Sequence, residues 1–274
     1  MSTVYQEFHR SVQRYGERPF LHIPHSAAAS YSDQSIDYTY AQMDVEVNRA
    51  AQIYRSAGYG CGHRLGVLLE NRAEFFIHWL ALNQLGVSVV PLNGEMQPDE
   101  LAYLIEHSEI ESVVALTHKH SLLESANQLL ATAIAVVSPE QLSALAQPSQ
   151  AAQAQQPNSD SECALLYTSG STGKPKGCIL NNEYFTAFGA WYRDAGGLCA
   201  LEAGVERFLT PLPLVHMNAM AVSTMGMLMS GGCVIQLDRF HPKSWWQSVR
   251  DSGATAIHYL GVLPAILLNM PASA

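Results

Sequence analysis

Two lysines, four Ser and Thr hydroxyls and three glycines fall within the stretch Tyr167-Thr168-Ser169-Gly170-Ser171-Thr172-Gly173-Lys174-Pro175-Lys176-Gly177. Such a set suits an anion with several oxygens, and phosphate is the obvious one. Glycine at 170, 173 and 177 lets the backbone take positive φ and turn successive N–H groups toward one concavity. Thr168, Ser169, Ser171 and Thr172 add hydroxyl donors. Lys174 and Lys176 add charge, each worth a few kcal/mol within about 4 Å of a phosphate oxygen at an effective dielectric near 20. Pro175 fixes their spacing and bars a helix from opening directly after Lys174. A Walker A loop is excluded, because Thr168 stands where its first glycine belongs and Pro175 where its Ser/Thr belongs. The plainer reading is a flexible polar loop; the ordered combination favours phosphate.

The turn needs rigid elements on either side. Cys163-Ala164-Leu165-Leu166 reads as a buried strand that delivers its last residues into the loop, and 183–192 reads as a helix beyond it. Upstream, strands are expected near 20–23, 65–69, 87–92, 112–116 and 133–137. Helices are expected from Val4 to Tyr15, from a Thr39/Gln42 capping box to Gly58, over 74–85, from Pro98, and over 122–131. Residues 27–35 read as a surface loop. Downstream, strands are expected at 207–210, 233–237 and 254–259, with helices at 219–229, 242–251 and 262–270. Strands alternating with helices of this length imply right-handed parallel crossovers, hence an α/β fold of layered sheets flanked by helices. Residues 147–162, rich in Gln, Ala, Ser and Pro, read as a linker or exposed loop. The expected organisation is a first α/β lobe over 1–146, that linker, and the start of a second lobe over 163–274.

The stretch YTSGSTGKPKG resembles the phosphate-binding signature of the adenylate-forming superfamily, which includes acyl-CoA synthetases, luciferases and the adenylation domains of peptide synthetases. The resemblance implies that a carboxylate attacks the α-phosphate of ATP, giving an acyl-adenylate and pyrophosphate, and that a thiol then takes the acyl group. By it, Thr168 through Lys176 would hold the ATP phosphates and Lys174 would also serve catalysis. ATP and CoA are the implied co-substrates, with Mg²⁺ arriving on the ATP phosphates. Family members also open the helix after Thr39 with a similar Thr-Tyr pair.

Pro211-Leu-Pro-Leu-Val-His216-Met-Asn218 resembles the superfamily segment beside the acyl pocket. There His216, with Asn218, would stand between ATP and the carboxylate substrate and gate the acyl group; a satisfied structural histidine is the alternative. Ala254-Thr-Ala-Ile-His-Tyr259-Leu-Gly261 resembles the strand and turn that wall that pocket, with Gly261 leaving room for the acyl chain. A simple strand-to-helix turn is the alternative there. With Phe240-His241-Pro242, this region looks most like ligases for small polar acyl groups of the carnitine type.

Composition sets outer bounds. A chain of 274 residues with 48% hydrophobic content can bury one large core or two smaller ones. Fifteen Lys and Arg against 24 Asp and Glu give a net charge of −9, which opposes non-specific binding to nucleic acid or anionic membrane. The five cysteines form no CxxC pair and suggest reduced thiols in a cytoplasmic protein. No histidine spacing indicates a dedicated metal site, and GxSxG is absent. The N-terminus shows no apolar secretory run. The uncharged stretch 217–237 is broken by Asn218, Ser223, Thr224 and Gly231-Gly232, so it reads as a buried helix and strand rather than a membrane span. Its methionines, Met217 to Met229, read as core packing.

The resemblance covers an incomplete N-terminal domain of the adenylate-forming fold. It implies an acidic ribose ligand, a glutamate for Mg²⁺, a hinge and a mobile C-terminal domain with a catalytic lysine, all beyond position 274. Two functions follow: the N-terminal part of an acyl-CoA synthetase, or a catalytically silent nucleotide-binding or protein-interaction module.

Overall fold

The strands form where short apolar runs rich in Val, Ile and Leu are bounded by turn residues. The computed structural model describes residues 2–168 and 173–271. Its strands are β1 (Pro19–Ile23), β2 (Ile36–Thr39), β3 (Arg64–Leu68), β4 (Ser88–Pro91), β5 (Ser112–Ala115), β6 (Ala135–Val137), β7 (Glu162–Thr168), β8 (Lys176–Asn181), β9 (Arg207–Thr210), β10 (Cys233–Gln236) and β11 (Ala256–Ile257). Two compact units result, one built from Met1–His9, Asp44–Glu70 and Glu74–Ala187, the other from Arg10–Met43, Asn71–Ala73 and Phe188–Ala274.

The first unit carries a six-stranded sheet in the order β6-β5-β3-β4-β7-β8. All its pairings are parallel except β7 with β8, which form an antiparallel hairpin with Thr168 opposite Lys176. β4 and β5 are buried at every position, as a sheet covered on both faces requires. The helix Pro98–Ser108 packs Leu101, Leu104 and Ile105 into one cluster with Leu68, Val90, Val113, Leu123 and Leu165. It starts on a capping box between Gln97 and Glu100, with proline at its first turn, and closes on Glu109 in the left-handed region at φ 59°. A cap of this kind contributes about 1 kcal/mol.

The second unit carries a five-stranded sheet in the order β11-β9-β10-β1-β2, parallel except for β1 with β2. The capping box expected at the next helix is present: the Thr39 N–H donates to Gln42 Oε1 at 2.9 Å, and the Gln42 N–H donates to Thr39 Oγ1 at 3.1 Å. Within 27–35, read from sequence as surface loop, Ala27 and Ala28 are buried in a short helix, His25–Ala28. The expected helix at 219–229 is a π-helix over Asn218–Thr224 continued by an α-helix over Met225–Ser230. Two hydroxyls account for the wide turns. Ser223 Oγ donates to the Asn218 carbonyl at 3.3 Å and Thr224 Oγ1 to the Ala219 carbonyl at 2.8 Å, each reaching five residues back. Met220, Met225 and Met227 are fully buried, in keeping with core packing. Among the described residues no helix is long and apolar enough to cross a membrane.

The division at 147–162 expected from composition does not coincide with these units. β7 and β8 follow that segment and complete the first sheet, β7 pairing in parallel with β4, and only β9, β10 and β11 further on join the second sheet. The segment itself is irregular but tied down. The Gln153 N–H donates to the Cys61 carbonyl at 2.9 Å, the Ser149 N–H donates to Glu111 Oε2 at 2.6 Å, and His63 Nε2 bonds the Gln150 carbonyl at 3.1 Å. It acts as a strap across the N-terminal ends of β3 and β5.

Burial separates the cysteines into two groups. Cys178 and Cys199 are exposed, whereas Cys61, Cys163 and Cys233 are buried. Burial pushes the Cys163 and Cys233 thiols up to about 12. Alkylation of the native protein at pH 8, read by peptide mass spectrometry, is therefore expected to label Cys178 and Cys199 and to spare the other three until denaturant is added. Labelling of Cys163 at the rate of Cys178 would contradict this packing.

Candidate active site

The hairpin explains how the lysine-bearing turn is held. Thr168 is the last residue of β7 and Lys176 the first of β8, so the ladder fixes both ends of the turn in register. Ser169, Gly170, Ser171 and Thr172 lie outside the described residues. Gly173 sits at φ 100° with open space where a side chain would be, so the backbone angle alone calls for glycine. Gly177 differs from the expectation. It is a strand residue without positive φ, and a Cβ there would come within 3.0 Å of Leu165 Cδ1 and 3.4 Å of the Tyr167 ring. Its requirement is close cross-strand packing against β7.

Lys174 and Lys176 are both exposed and two residues apart. The Lys174 ammonium lies 4.9 Å from the centre of the Tyr103 ring. The Tyr103 hydroxyl donates to the Pro175 carbonyl at 3.2 Å, and the Tyr167 hydroxyl and His107 Nδ1 share a hydrogen bond of 2.8 Å. Burial raises the Tyr167 phenol to about 12, so it stays protonated at neutral pH. A cavity of about 670 Å³ in this unit lies elsewhere, lined by Arg64, Ser88 and Glu162, which open β3, β4 and β7. The turn follows the opposite, C-terminal end of β7. Two of its charged residues, Arg64 and Glu162, hold each other through bonds of 2.8 and 2.9 Å. The turn and that cavity thus lie at opposite ends of β7.

In the second unit, His216 and Asn218 follow β9, and Tyr259 and Gly261 follow β11. β9 and β11 are parallel neighbours, so all four residues emerge at the C-terminal end of one sheet, where open α/β sheets bind ligands. The His216 carbonyl accepts from the N–H groups of Ala219 and Met220, both at 3.2 Å, and so starts the π-helix. The residue is solvent-accessible, yet partial burial of its ring lowers its pKa below the ordinary imidazole value. A neutral imidazole at pH 7 offers one N–H and one lone pair. Tyr259 is half-exposed. The strand expected over 254–259 is confined to Ala256–Ile257 because Tyr259 and the residues after it have left the ladder. Gly261 takes φ 56° with no atom near the position of a Cβ, so it serves a turn.

Two residues to which the sequence reading gave no part in the site, Ser223 and His258, also lie at this end. His258 Nδ1 hydrogen-bonds Ser223 Oγ, and its N–H donates to the Leu209 carbonyl at 2.8 Å. The pair joins the π-helix to the end of β11, and burial lowers the pKa of His258 as well. His118 and His120 bond Glu70 at 3.0 Å and the Ala115 carbonyl at 3.2 Å respectively.

The fold is that of the N-terminal domains of acyl-CoA synthetases. It matches the inhibitor-bound N-terminal domain of FACL13 from Mycobacterium tuberculosis with a TM-score of 0.81 at 20% identity, covering 99% of this chain and 66% of that one. It also matches O-succinylbenzoate coenzyme A synthetase from Bacillus subtilis, solved in complex with AMP, with a TM-score of 0.74 at 24% identity, over 97% of this chain and 64% of that one. The chain belongs to the AMP-binding enzyme family, which it matches over residues 8–274. Curated relatives include a sulfoacetate–CoA ligase of Cupriavidus necator, 28% identical over 94% of this chain and 49% of the relative. A crotonobetaine/carnitine–CoA ligase of Citrobacter koseri is 25% identical over 86% of this chain and 47% of the relative. The chain thus spans about half the length of the curated relatives it matches.

Proposed function

We propose that this chain supplies the nucleotide-phosphate and acyl-binding parts of a ligase that activates a small polar carboxylic acid with ATP. The observation that carries the reading is the β7–β8 hairpin, which presents Lys174 and Lys176 on one glycine-hinged turn in a chain of the AMP-binding family. In the first step a carboxylate oxygen bonds the α-phosphorus of ATP and pyrophosphate leaves with its bonding electrons. In the second a thiol sulfur, that of CoA or of a carrier, bonds the acyl carbon and AMP leaves. Mg²⁺ would travel with the ATP phosphates.

The role of this chain's residues is positioning and charge. Lys174, Lys176, Thr168 and the residues of the turn between them would neutralise the phosphate oxygens as charge shifts onto the leaving pyrophosphate. His216 and Asn218 would meet the acyl carboxylate at the end of the second sheet, with Tyr259 and Gly261 as the facing wall. A neutral His216 gives an anionic acid no ion pair but can donate one hydrogen bond to it. Both curated relatives named above are CoA ligases for small polar acids, which favours this reading over a silent module. A cytoplasmic location fits CoA-dependent chemistry.

The test is calorimetric titration of the protein with ATP and Mg²⁺. Lys174→Ala and Lys176→Ala are each expected to weaken binding by roughly tenfold, the loss of one charge contact of about 1.4 kcal/mol. Exchange of pyrophosphate into ATP, run with a panel of carboxylates on a protein spanning the full length of the relatives, should show the same dependence. Indifference of both measurements to Lys174→Ala would remove the reading.

A further inference from the structure

Helix Pro98–Ser108 reaches the lysine-bearing turn from 72 residues upstream and touches it on both flanks. On the far flank Tyr103 carries two contacts at once. Its ring lies 4.9 Å beneath the Lys174 ammonium, and its hydroxyl donates to the carbonyl of Pro175, the next residue, at 3.2 Å. On the near flank His107, one helical turn along, bonds the Tyr167 hydroxyl at 2.8 Å. The three rings are in sequence, with centroids 5.4 Å apart for Tyr103 and His107 and 5.6 Å for His107 and Tyr167. Tyr103 and Tyr167 both pack against the buried cluster of Leu101, Leu104, Val113 and Leu165. The helix that carries Tyr103 and His107 is capped at both ends.

We propose that Tyr103 is a positioning residue for the turn: its ring presents the Lys174 ammonium and its hydroxyl fixes the backbone that carries it. The proposal rests on the phosphate reading of the preceding subsection. Among the described residues Lys174 pairs with no carboxylate, so the ring face is what orients its charge. A lysine has four rotatable side-chain bonds, and an unguided one would search widely before meeting a phosphate. The aromatic face attracts the ammonium without neutralising it, so the charge is held in place and still transferable to an anion. A full salt bridge would compete with the ligand; a ring competes weakly, because the phosphate offers the stronger partner.

The test is a double-mutant cycle on ATP·Mg²⁺ affinity, with far-ultraviolet dichroism and the urea midpoint recorded for each variant. Tyr103→Leu is expected to weaken binding about fivefold when Lys174 is present and less than twofold in the Lys174→Ala background. Tyr103→Phe, which keeps the ring and loses the hydroxyl, should recover most of the affinity. A second measurement needs no nucleotide. In protein with ¹³C-methylated lysines, the Lys174 resonance, assigned by its loss in Lys174→Ala, should lie upfield under the ring current and return to the bulk position in Tyr103→Leu. Equal losses in both backgrounds would reduce Tyr103 to a packing residue and overturn the proposal while leaving the ATP reading intact. So would a Lys174 resonance unmoved by Tyr103→Leu. Failure of the unsubstituted protein to bind ATP overturns both.

Discussion

Asn71→Ala is expected to lower the stability of the second unit by about 3 kcal/mol, the largest loss foreseen for an uncharged substitution here. The side chain is 8% exposed and uses both ends of its amide. Its Nδ2 donates to the carbonyls of Leu237 at 2.9 Å and of Leu212 and Asp238 at 3.2 Å, and its Oδ1 accepts from the Leu214 N–H at 2.9 Å. These groups belong to the segments that leave β9 and β10. Gln236 Nε2 also donates to the Leu212 and Leu237 carbonyls, at 3.2 and 2.9 Å, so these two acceptors keep a partner in the variant. The Leu214 N–H does not. Leu214 is 1% exposed, and an unpaired buried donor costs the full desolvation of the group, to which the lost charge-free bonds add. Urea unfolding followed by tryptophan fluorescence suits the measurement, because Trp191, Trp245 and Trp246 all lie in this unit. A loss under 1 kcal/mol would mean that Gln236 rearranges to serve Leu214. The same amide holds the run Pro211 to Leu214 that delivers His216, so the variant should also impair any use of His216.

The sequence legible in this way is the buried, parallel part. β9 is legible to the residue because the apolar pair Phe208-Leu209 and Thr210 are closed off by Pro211, and β4 and β5 because their apolar positions are buried throughout. The two antiparallel edge strands were not readable. β8 exposes Lys176, Cys178 and Ile179, and no position of β2 is fully buried. An edge strand half open to water need not repeat an apolar pattern, so periodicity carries no signal for it. The misplaced boundary at 147–162 has the same origin. Composition reports contact with water, and a strap lying on a sheet end is as polar as a linker between domains.

For the candidate site, the turn was legible because its chemistry is concentrated in consecutive residues. Tyr103 and His107 were not, since an aromatic pair at i and i+4 on the polar side of a helix is equally compatible with an ordinary surface stripe. Their role depends on which strand end the helix packs against, and only the ladder of β7 with β4 and β8 decides that. His258 was hidden for a related reason. Its partner Ser223 is turned toward it by a π-helix, and nothing in Asn218-Ala-Met-Ala-Val-Ser-Thr announces wide turns except two adjacent hydroxyls, which are common in ordinary helices.

The stability of the first unit is expected to fall in mild acid, and His78 is the group that sets the range. It lies on the helix Ala73–Leu85, 4% exposed, with Nδ1 hydrogen-bonded to the Tyr54 hydroxyl at 2.7 Å. Burial lowers its pKa to about 4, against the opposing charge of Glu140. Burial also raises the Tyr54 phenol, which stays protonated and donates to the neutral ring. In the unfolded chain the imidazole titrates near 6.5. Between these values the unfolded state binds a proton that the folded state refuses. Stability from this group is complete above about pH 6.5 and is lost as pH falls toward 4, by about 3 kcal/mol at 1.36 kcal/mol per pH unit. His78→Gln keeps a polar partner for Tyr54 and removes the titration. The variant should be less stable than the parent at pH 7.5, and the gap should close or invert by pH 4.5 in urea titrations across that range. Carboxylates contribute equally to both proteins and cancel in the difference. A gap that stays constant from pH 7.5 to 4.5 would show that His78 is protonated as readily in the fold as out of it, and that its surroundings admit water.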